Sequence, residues 1–298
     1  MRVRYSTTAS RSDSGGSPLN EQSFAQADAL EDELAARGVD VETYVGLQFM
    51  EPLIEDAAAD AHADGLDHVV GLPVYPLCGP STNVAADDEL QAAIEATDGW
   101  DPEFSPITGW HKHPLYNRLR AENVEEFAAE RDLDLNDEDT VLLFSAHGTP
   151  QYYLEEEDSR YDVYVEEWTE TMARLLDLDS YALGFQNHEN RDIPWTEPDV
   201  ETAIEALDAE RVVVEPVSFM HEQSETLSEL DEELAEEAEA EGVELHRVPV
   251  PHDDDRFATV LADLVEPFLA GFDPGYYQFR QCRGRDEPGT MCLNAPRE

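Results

Sequence analysis

Basic side chains are the scarcest feature of this 298-residue sequence. It has 18 lysine and arginine residues against 69 aspartate and glutamate residues, and Lys112 is its only lysine. The formal charge of −51 excludes nucleic acid and anionic membrane surfaces as partners, because both are bound through basic patches. No apolar stretch reaches the ~18 residues of a membrane span, and the N-terminus lacks the apolar core of a signal peptide. We therefore expect a cytoplasmic protein with no integral membrane segment.

Hydrophobic residues, in contrast, make up 41% of the chain, which is far more than a disordered acidic polymer contains. A folded chain with this excess of negative charge repels itself at low ionic strength. Molar salt screens charges over a few ångströms and removes the conflict. The composition therefore predicts a folded protein from a halophilic, salt-accumulating organism, and we expect it to be a monomer.

Strand-like and helix-like segments alternate along almost the whole chain. This alternation is typical of an α/β fold in which helices cover both faces of parallel sheets. We expect two similar lobes with a cleft between them, the first formed by residues 1–114 with 253–298 and the second by residues 115–252. The predicted strands lie near 39–45, 67–74, 140–145, 180–184, 211–217 and 243–248. The predicted helices lie near 21–36, 51–64, 87–96, 115–131, 162–177, 199–207, 223–240 and 256–270.

The segment 141–150 carries the clearest functional signal. An apolar run ends at His147, which is followed by the turn residues Gly148, Thr149 and Pro150. A buried parallel strand delivers a side chain in this way to its carboxyl end, where open α/β sheets bind ligands. His147 is therefore a candidate proton acceptor or metal ligand, and a purely structural histidine is the alternative.

A second apolar run, 211–219, precedes a helix rich in glutamate. Glu225, Glu229 and Glu233 are four residues apart and are expected to share one helical face. An imidazole facing these carboxylates suits a divalent metal and suits proton removal. All four side chains are therefore candidate metal ligands, and His147 and Glu225 are candidate catalytic residues. A solvated acidic surface is the alternative, and it applies most to Glu233.

Five separated segments resemble the ferrochelatase family, from about residue 15 to about residue 265. Their shared order and spacing are far more specific than any one of them. They are Gly-Gly-Ser-Pro-Leu (15–19), residues 44–56, Gly-Leu-Pro-Val-Tyr-Pro (71–76) with Ser81 and Thr82, residues 143–150, and residues 216–219 with 225–227 and 230–231. Gly-Phe-Gln (184–186) and Pro194-Trp195 also look like segments of the family.

The resemblance implies a fold of two Rossmann-like lobes with parallel four-stranded sheets. It also implies insertion of Fe2+ into a porphyrin, protoporphyrin IX or coproporphyrin III, during haem synthesis, so that iron is a substrate. His147 and Glu225 match the reacting centre, and Glu229 and Glu233 match an acidic line leading outward. Contacts to the porphyrin are expected from Ser17, Trp110, Phe219 and Trp195.

Several of these residues have a second interpretation. Ser17 could cap the following helix, and Trp110 could be a core tryptophan with one wet edge. His111 and His113 have the spacing of metal ligands but could equally form a surface pair. Gln48 stands where many relatives carry a basic side chain, which leaves the preferred porphyrin side chains open.

Two alternative functions also fit the sequence. One is a chelatase for another metal or macrocycle, such as cobalt with a sirohydrochlorin-type ring; the lone His147 favours iron and porphyrin, because those shorter relatives use a histidine pair. The other is a non-catalytic tetrapyrrole-binding or metal-binding relative. The polar start of the chain favours this non-catalytic alternative, because the family has an apolar strand and a helical lip there. We expect that strand to be missing from the middle of the first sheet, encoded by roughly 40–50 further codons upstream.

The cysteines also depart from part of the family. Some ferrochelatases bind an iron–sulfur cluster through four cysteines, but only Cys78, Cys282 and Cys292 exist here. Three thiolates cannot complete a four-thiolate cluster, and a reducing cytoplasm disfavours a disulfide. We expect no tightly bound cofactor, and either free thiols or a Cys282–Cys292 pair that is sometimes oxidised. A cluster with a non-cysteine fourth ligand is the alternative.

Overall fold

The computed structural model describes residues 18–155, 159–187 and 193–269. Within these ranges, helices alternate with short strands, as the sequence predicts. The helices are α1 (Leu19–Ala36), α2 (Ile54–Ala63), α3 (Ala85–Ala96), α4 (Pro114–Glu130), α5 (Gln151–Glu155), α6 (Tyr161–Leu175), α7 (Val200–Glu205), α8 (Leu234–Glu241) and α9 (Asp255–Leu269). The strands are β1 (His68–Gly71), β2 (Glu103–Pro106), β3 (Thr140–His147), β4 (Ala182–Gln186), β5 (Arg211–Pro216) and β6 (Glu244–Arg247). Two π-helices, Pro80–Val84 and Glu225–Glu233, lead into α3 and α8.

The second sheet is parallel and has four strands in the order β4-β3-β5-β6. Its two central strands are continuous apolar runs because helices cover both of their faces. The register places His147 opposite Gln186 and Ser145 opposite Pro216. This confirms the parallel α/β prediction for residues 140–247 and puts His147 at the carboxyl edge of the sheet.

The first sheet differs from the prediction. In the described part of the chain it contains only β1 and β2, which pair in parallel. The expected strand at 39–45 has no regular secondary structure and joins no ladder there; its Thr43 amide donates to the Glu31 carboxylate instead (3.3 Å). β2 was not predicted, because a four-residue edge strand that ends at a proline carries little apolar pattern. A further strand in this sheet stays a prediction.

A cavity of about 520 Å³ is lined by residues 40–48 and by β1. Residues 40–48 line one side and residues 66–75 the other, with apolar side chains of α1, α2, α3 and α9 between them. Part of the 39–45 segment and the whole of β1 therefore border the same cavity. The cavity reaches the second lobe at Ser218, Phe219 and His221.

One hydrophobic core joins the two halves. It contains Leu34 and Trp110 from the first half and Phe144 and Trp168 from the second, and α9 returns to pack on α1 and α4. Cys78 is buried in it, whereas Cys282 and Cys292 lie outside the described residues. In the part of the chain that the structure describes, no helix is long and apolar enough to cross a membrane.

Candidate functional site

His147 is half-buried at the end of β3, and its ring has a defined orientation. Nδ1 lies 2.7 Å from the carbonyl oxygen of Gly148. A carbonyl oxygen can only accept, so Nδ1 carries the proton and Nε2 carries the lone pair. Nε2 is therefore the nitrogen through which His147 could accept a proton or bind a metal.

Gly148 is required by the close approach of β4. Its amide donates to the Gln186 carbonyl (2.7 Å). A Cβ atom at this position would lie 1.8 Å from the Asn187 side-chain oxygen. The glycine thus lets the chain turn immediately after His147 without displacing the neighbouring strand.

Phe219 lies beside His147, with the two ring centroids 6.3 Å apart in an edge-on arrangement. The loop that carries it is held from behind by Arg120, a fully buried side chain of α4. Arg120 donates to the Pro216 carbonyl (2.7 Å) and to the Phe219 carbonyl (3.1 Å), and it pairs with the buried carboxylate of Glu215. Burying this charge is tolerable because nearly every donor has an acceptor.

The three glutamates lie on a π-helix rather than the expected α-helix. Buried Thr226, Leu230 and Leu234 are also four residues apart, and each follows one of the glutamates. The glutamates therefore line one side of the helix beside its buried stripe. Glu225 and Glu229 are half-buried and Glu233 is exposed. π-helical turns are rare and occur often at functional sites.

Gln186 connects this helix to the strand that pairs with β3. Its buried amide donates to the Glu225 carbonyl (3.0 Å) and to the Glu229 carboxylate (3.1 Å), and its own oxygen accepts from Ser145 (3.1 Å). Because Gln186 is the register partner of His147, these bonds bring the acidic helix to the same sheet edge as the histidine. In the sequence, Gln186 stands out only as part of the Gly-Phe-Gln segment.

Tyr75 is a residue that sequence analysis missed. It follows β1 in the first lobe and lines the cavity. Burial and the nearby Glu225 carboxylate raise the pKa of the Tyr75 phenol, so it stays a neutral hydroxyl facing the acidic helix from the other lobe. Only its place in a family segment marked it, since an isolated tyrosine in a loop has no chemical signature.

The four predicted porphyrin contacts have different outcomes. Phe219, which is 4% exposed, lies beside the His147 ring, and half-buried Trp195 forms a bridge with Pro150, three residues after His147. Trp110 is 0% exposed: it packs on Tyr116 and Phe257, and its indole N–H donates to the Pro73 carbonyl (3.2 Å). Trp110 is therefore a core residue in this structure, and its predicted contact with the porphyrin stays a prediction. Ser17 lies outside the described residues.

His111 and His113 form neither a metal pair nor a surface pair. His111 is buried beside Tyr164 and lies 3.6 Å from Glu167, whereas His113 caps α4 and faces Asp263 at 3.4 Å. The two rings face different helices. Among the described residues, no three His, Cys, Asp or Glu side chains are close enough together to enclose a metal ion.

Comparison with known proteins gives consistent matches. A protein-family model described as Ferrochelatase matches residues 1–268. The ferrochelatase of Synechococcus sp. (strain RCC307) is 37% identical over 277 residues, covering 91% of this chain and 70% of that protein. The ferrochelatase of Nostoc punctiforme is 34% identical over 270 residues, covering 89% and 69%.

Solved structures agree on the fold. CbiX, described as the terminal enzyme for siroheme biosynthesis in denitrifying bacteria, has a TM-score of 0.55 at 18% identity, covering 84% of this chain and 93% of that one. SirB from Bacillus subtilis with Fe3+ has a TM-score of 0.54 at 15% identity, covering 86% and 93%. At these identities the similarity establishes a shared chelatase-like fold.

Proposed function

This chain belongs to the ferrochelatase family, and we propose that it inserts Fe2+ into a free-base porphyrin in haem synthesis. The observation that carries the proposal is the meeting of His147 and the Glu225–Glu233 helix at one sheet edge, joined by Gln186. We place the reaction in the cytoplasm and expect the enzyme to act as a monomer.

Metal insertion requires the removal of two protons from the pyrrole nitrogens of a flat ring. Nε2 of His147 is suited to accept one of them, because Nδ1 is already protonated and bonded to Gly148. The bond from Nδ1 to a carbonyl also stabilises the imidazolium that forms. His147 is thus the proposed proton acceptor, and a transient iron ligand when neutral.

The carboxylates supply negative charge, opposite in sign to the entering iron. We propose that Glu225 faces the reacting centre, where it accepts a proton or binds the entering iron, and that Glu229 and Glu233 lead outward from it. The burial order of the three side chains supports this assignment, since exposed Glu233 is in contact with solvent. Carboxylate oxygens bind Fe2+ weakly enough to pass it inward to ring nitrogens.

We propose that Phe219 and Trp195 contact the faces or edges of the porphyrin. Aromatic rings stack on a flat macrocycle with a large contact area. Gln48 and Phe219 both line the cavity. We propose that Gln48 offers a propionate a neutral amide in place of a charged contact. The ring could be protoporphyrin IX or coproporphyrin III, and only turnover distinguishes a dicarboxylate from a tetracarboxylate substrate.

The test is insertion of Fe2+ under anaerobic conditions in molar salt, followed by the loss of porphyrin fluorescence. Protoporphyrin IX and coproporphyrin III are compared with sirohydrochlorin plus Co2+. We expect turnover of a porphyrin with iron, and His147→Ala should reduce it by roughly 10²-fold or more while the fold persists. Faster turnover of sirohydrochlorin would favour the other chelatase class, and porphyrin binding without turnover would indicate a non-catalytic relative.

A further inference from the structure

The backbone of His147 lies where the β3–β5 ladder stops. Alternate residues of β3 face opposite neighbours: the Ser145 carbonyl accepts from Val217 on the β5 side, and the Gly148 amide donates to Gln186 on the β4 side. His147, two residues after Ser145, therefore directs its N–H and C=O toward β5. β5 ends at Pro216, so the next rung of the ladder is not made by backbone.

Two hydroxyl groups take the place of that rung. The His147 amide donates to Oγ of Ser218 (3.0 Å), and the hydroxyl of Tyr161 donates to the His147 carbonyl (2.9 Å). The two hydroxyls are 2.9 Å apart. Ser218 belongs to the loop after β5, and Tyr161 begins α6.

The direction of every bond in this group is determined by chemistry. The carbonyl can only accept, so it takes the single proton of Tyr161, and the amide can only donate, so it uses an acceptor site on Ser218. The bond between the hydroxyls must then run from Ser218 to Tyr161. The result is a closed cycle from the His147 amide through Ser218 and Tyr161 back to the His147 carbonyl, with one orientation for each group.

We infer that Tyr161 and Ser218 are positioning residues for His147, which they hold in place through its backbone rather than its ring. This inference rests on the proposed function of His147. A closed cycle leaves no alternative rotamer for either hydroxyl, so it restricts the peptide more tightly than two independent bonds would. A small displacement of a reacting group costs a large factor in rate.

The side chains are suited to this task. Tyr161 is only 6% exposed, and burial raises the pKa of its hydroxyl to about 12, so it keeps the proton that it donates. A backbone rung at the same place would force residues 217–219 to continue beside β3. With hydroxyls instead, the loop is free to turn and present Phe219 to the histidine.

The first experiment compares Tyr161→Phe with Tyr164→Phe. Tyr164 lies one turn further along α6, is equally deep, and packs on His111 rather than near His147. For Tyr161→Phe we expect kcat to fall about tenfold or more, while KM for iron and porphyrin stays within about twofold. Tyr164→Phe should keep kcat within about twofold of the parent. Equal kcat values for the two variants would overturn the inference.

Nitrogen-15 NMR of the histidine rings, without substrate, gives a readout that does not depend on turnover. The signal of His147 is identified by its absence in His147→Ala. In Tyr161→Phe we expect the Nδ1–H tautomer of His147 to lose population, since the carbonyl of Gly148 moves with the released peptide. An unchanged His147 signal would count against the inference even if activity falls. A parent protein that inserts no iron would refute the proposed function and leave this spectral test valid.

Ser218 gives an independent check if Tyr161→Phe does not fold. Ser218→Ala removes both the acceptor and the donor, whereas Ser218→Thr keeps the hydroxyl. We expect a loss of kcat in the first variant and recovery of most of it in the second. The double variant Tyr161→Phe/Ser218→Ala should lose no more than the worse single variant, because the cycle acts as one unit. If the losses of kcat in the two single variants multiply in the double variant, the two hydrogen bonds act separately and the cycle is contradicted.

Discussion

The side-chain amide of Gln186 donates to the carboxylate of Glu229 at 3.1 Å, one strand away from His147. A carboxylate that takes part in metal handling needs such a donor to hold its orientation. We expect Gln186→Leu to raise KM for iron by about tenfold with a smaller change in kcat. Gln186→Glu should be worse, because it places a second negative charge beside Glu229.

Gln91 provides the matched control for that prediction. Its amide donates to Glu95 (2.9 Å) on the exposed surface of α3, so Gln91→Leu removes the same kind of bond away from the cleft. Iron titrations of initial rate measure both variants. A similar KM for iron in Gln186→Leu and Gln91→Leu would remove Gln186 from the site.

Glu225 and Glu233 are predicted to have separable roles. Glu225→Gln should lower kcat by roughly 10²-fold, because an amide cannot accept a proton at the reacting centre. Glu233→Gln should lose no more than several-fold and mainly raise KM for iron, as an outer carboxylate delivers the ion without proton transfer. Exposed Glu232→Gln makes the same change of charge next to Glu233 and is the control. If KM for iron rises equally in Glu232→Gln and Glu233→Gln, the effect depends on net charge alone.

The sequence predicted the sheet edge that carries His147 better than its surroundings. β3 and β5 were found because strands covered on both faces must be apolar along their length, and His147 stands out at the end of such a run. The complete burial of Trp110 was not predicted, because the sequence does not show that Phe257, far along the chain, packs on its ring. The π-helical winding of Glu225–Glu233 was missed for a similar reason, since periodic spacing of four residues fits both helix types.

The polar contacts could not be predicted at all. The cycle of His147, Ser218 and Tyr161 joins three segments whose approach depends on where β5 ends and α6 begins. No local pattern marks either hydroxyl, since serine and tyrosine are ordinary residues for a loop end and a helix start.

His221 predicts a loss of stability in acid. Burial and the nearby His252 lower the pKa of its ring from the usual 6.5 to about 4. Well above pH 6.5 neither the folded nor the unfolded state binds the proton, so the titration of His221 does not change stability there. As the pH falls from 6.5 toward 4, the unfolded state takes up the proton and the folded state does not, which favours unfolding by about 3 kcal/mol at most.

The measurement is urea unfolding of the parent and of His221→Asn at several pH values, in constant molar salt. Asparagine stays neutral, so the stability of the variant relative to the parent should improve as the pH falls through this window. A constant difference between the two proteins from pH 7 to pH 4 would show that His221 does not cause the effect. The comparison cancels the titration of the many surface carboxylates, which both proteins share.

Withdrawal of salt should unfold the protein, because its few cations are shared among many acids. Arg37, for example, contacts Glu33, Asp263 and Glu266 where α1 meets α9, so one cation faces three carboxylates there. Without salt, the surplus of negative charge at this contact is no longer screened. We expect Tm, measured by circular dichroism, to fall by about 10 °C or more between molar and millimolar potassium chloride.

The triple variant Glu236→Gln/Glu237→Gln/Glu239→Gln removes three exposed charges from α8 and should lower the salt concentration needed for folding. Sucrose at matched osmolality favours compact states without screening charge, so it should not replace the salt. Full rescue by sucrose, or the same Tm in both salts, would rule out charge repulsion as the cause of the salt requirement and with it the halophilic interpretation of the composition.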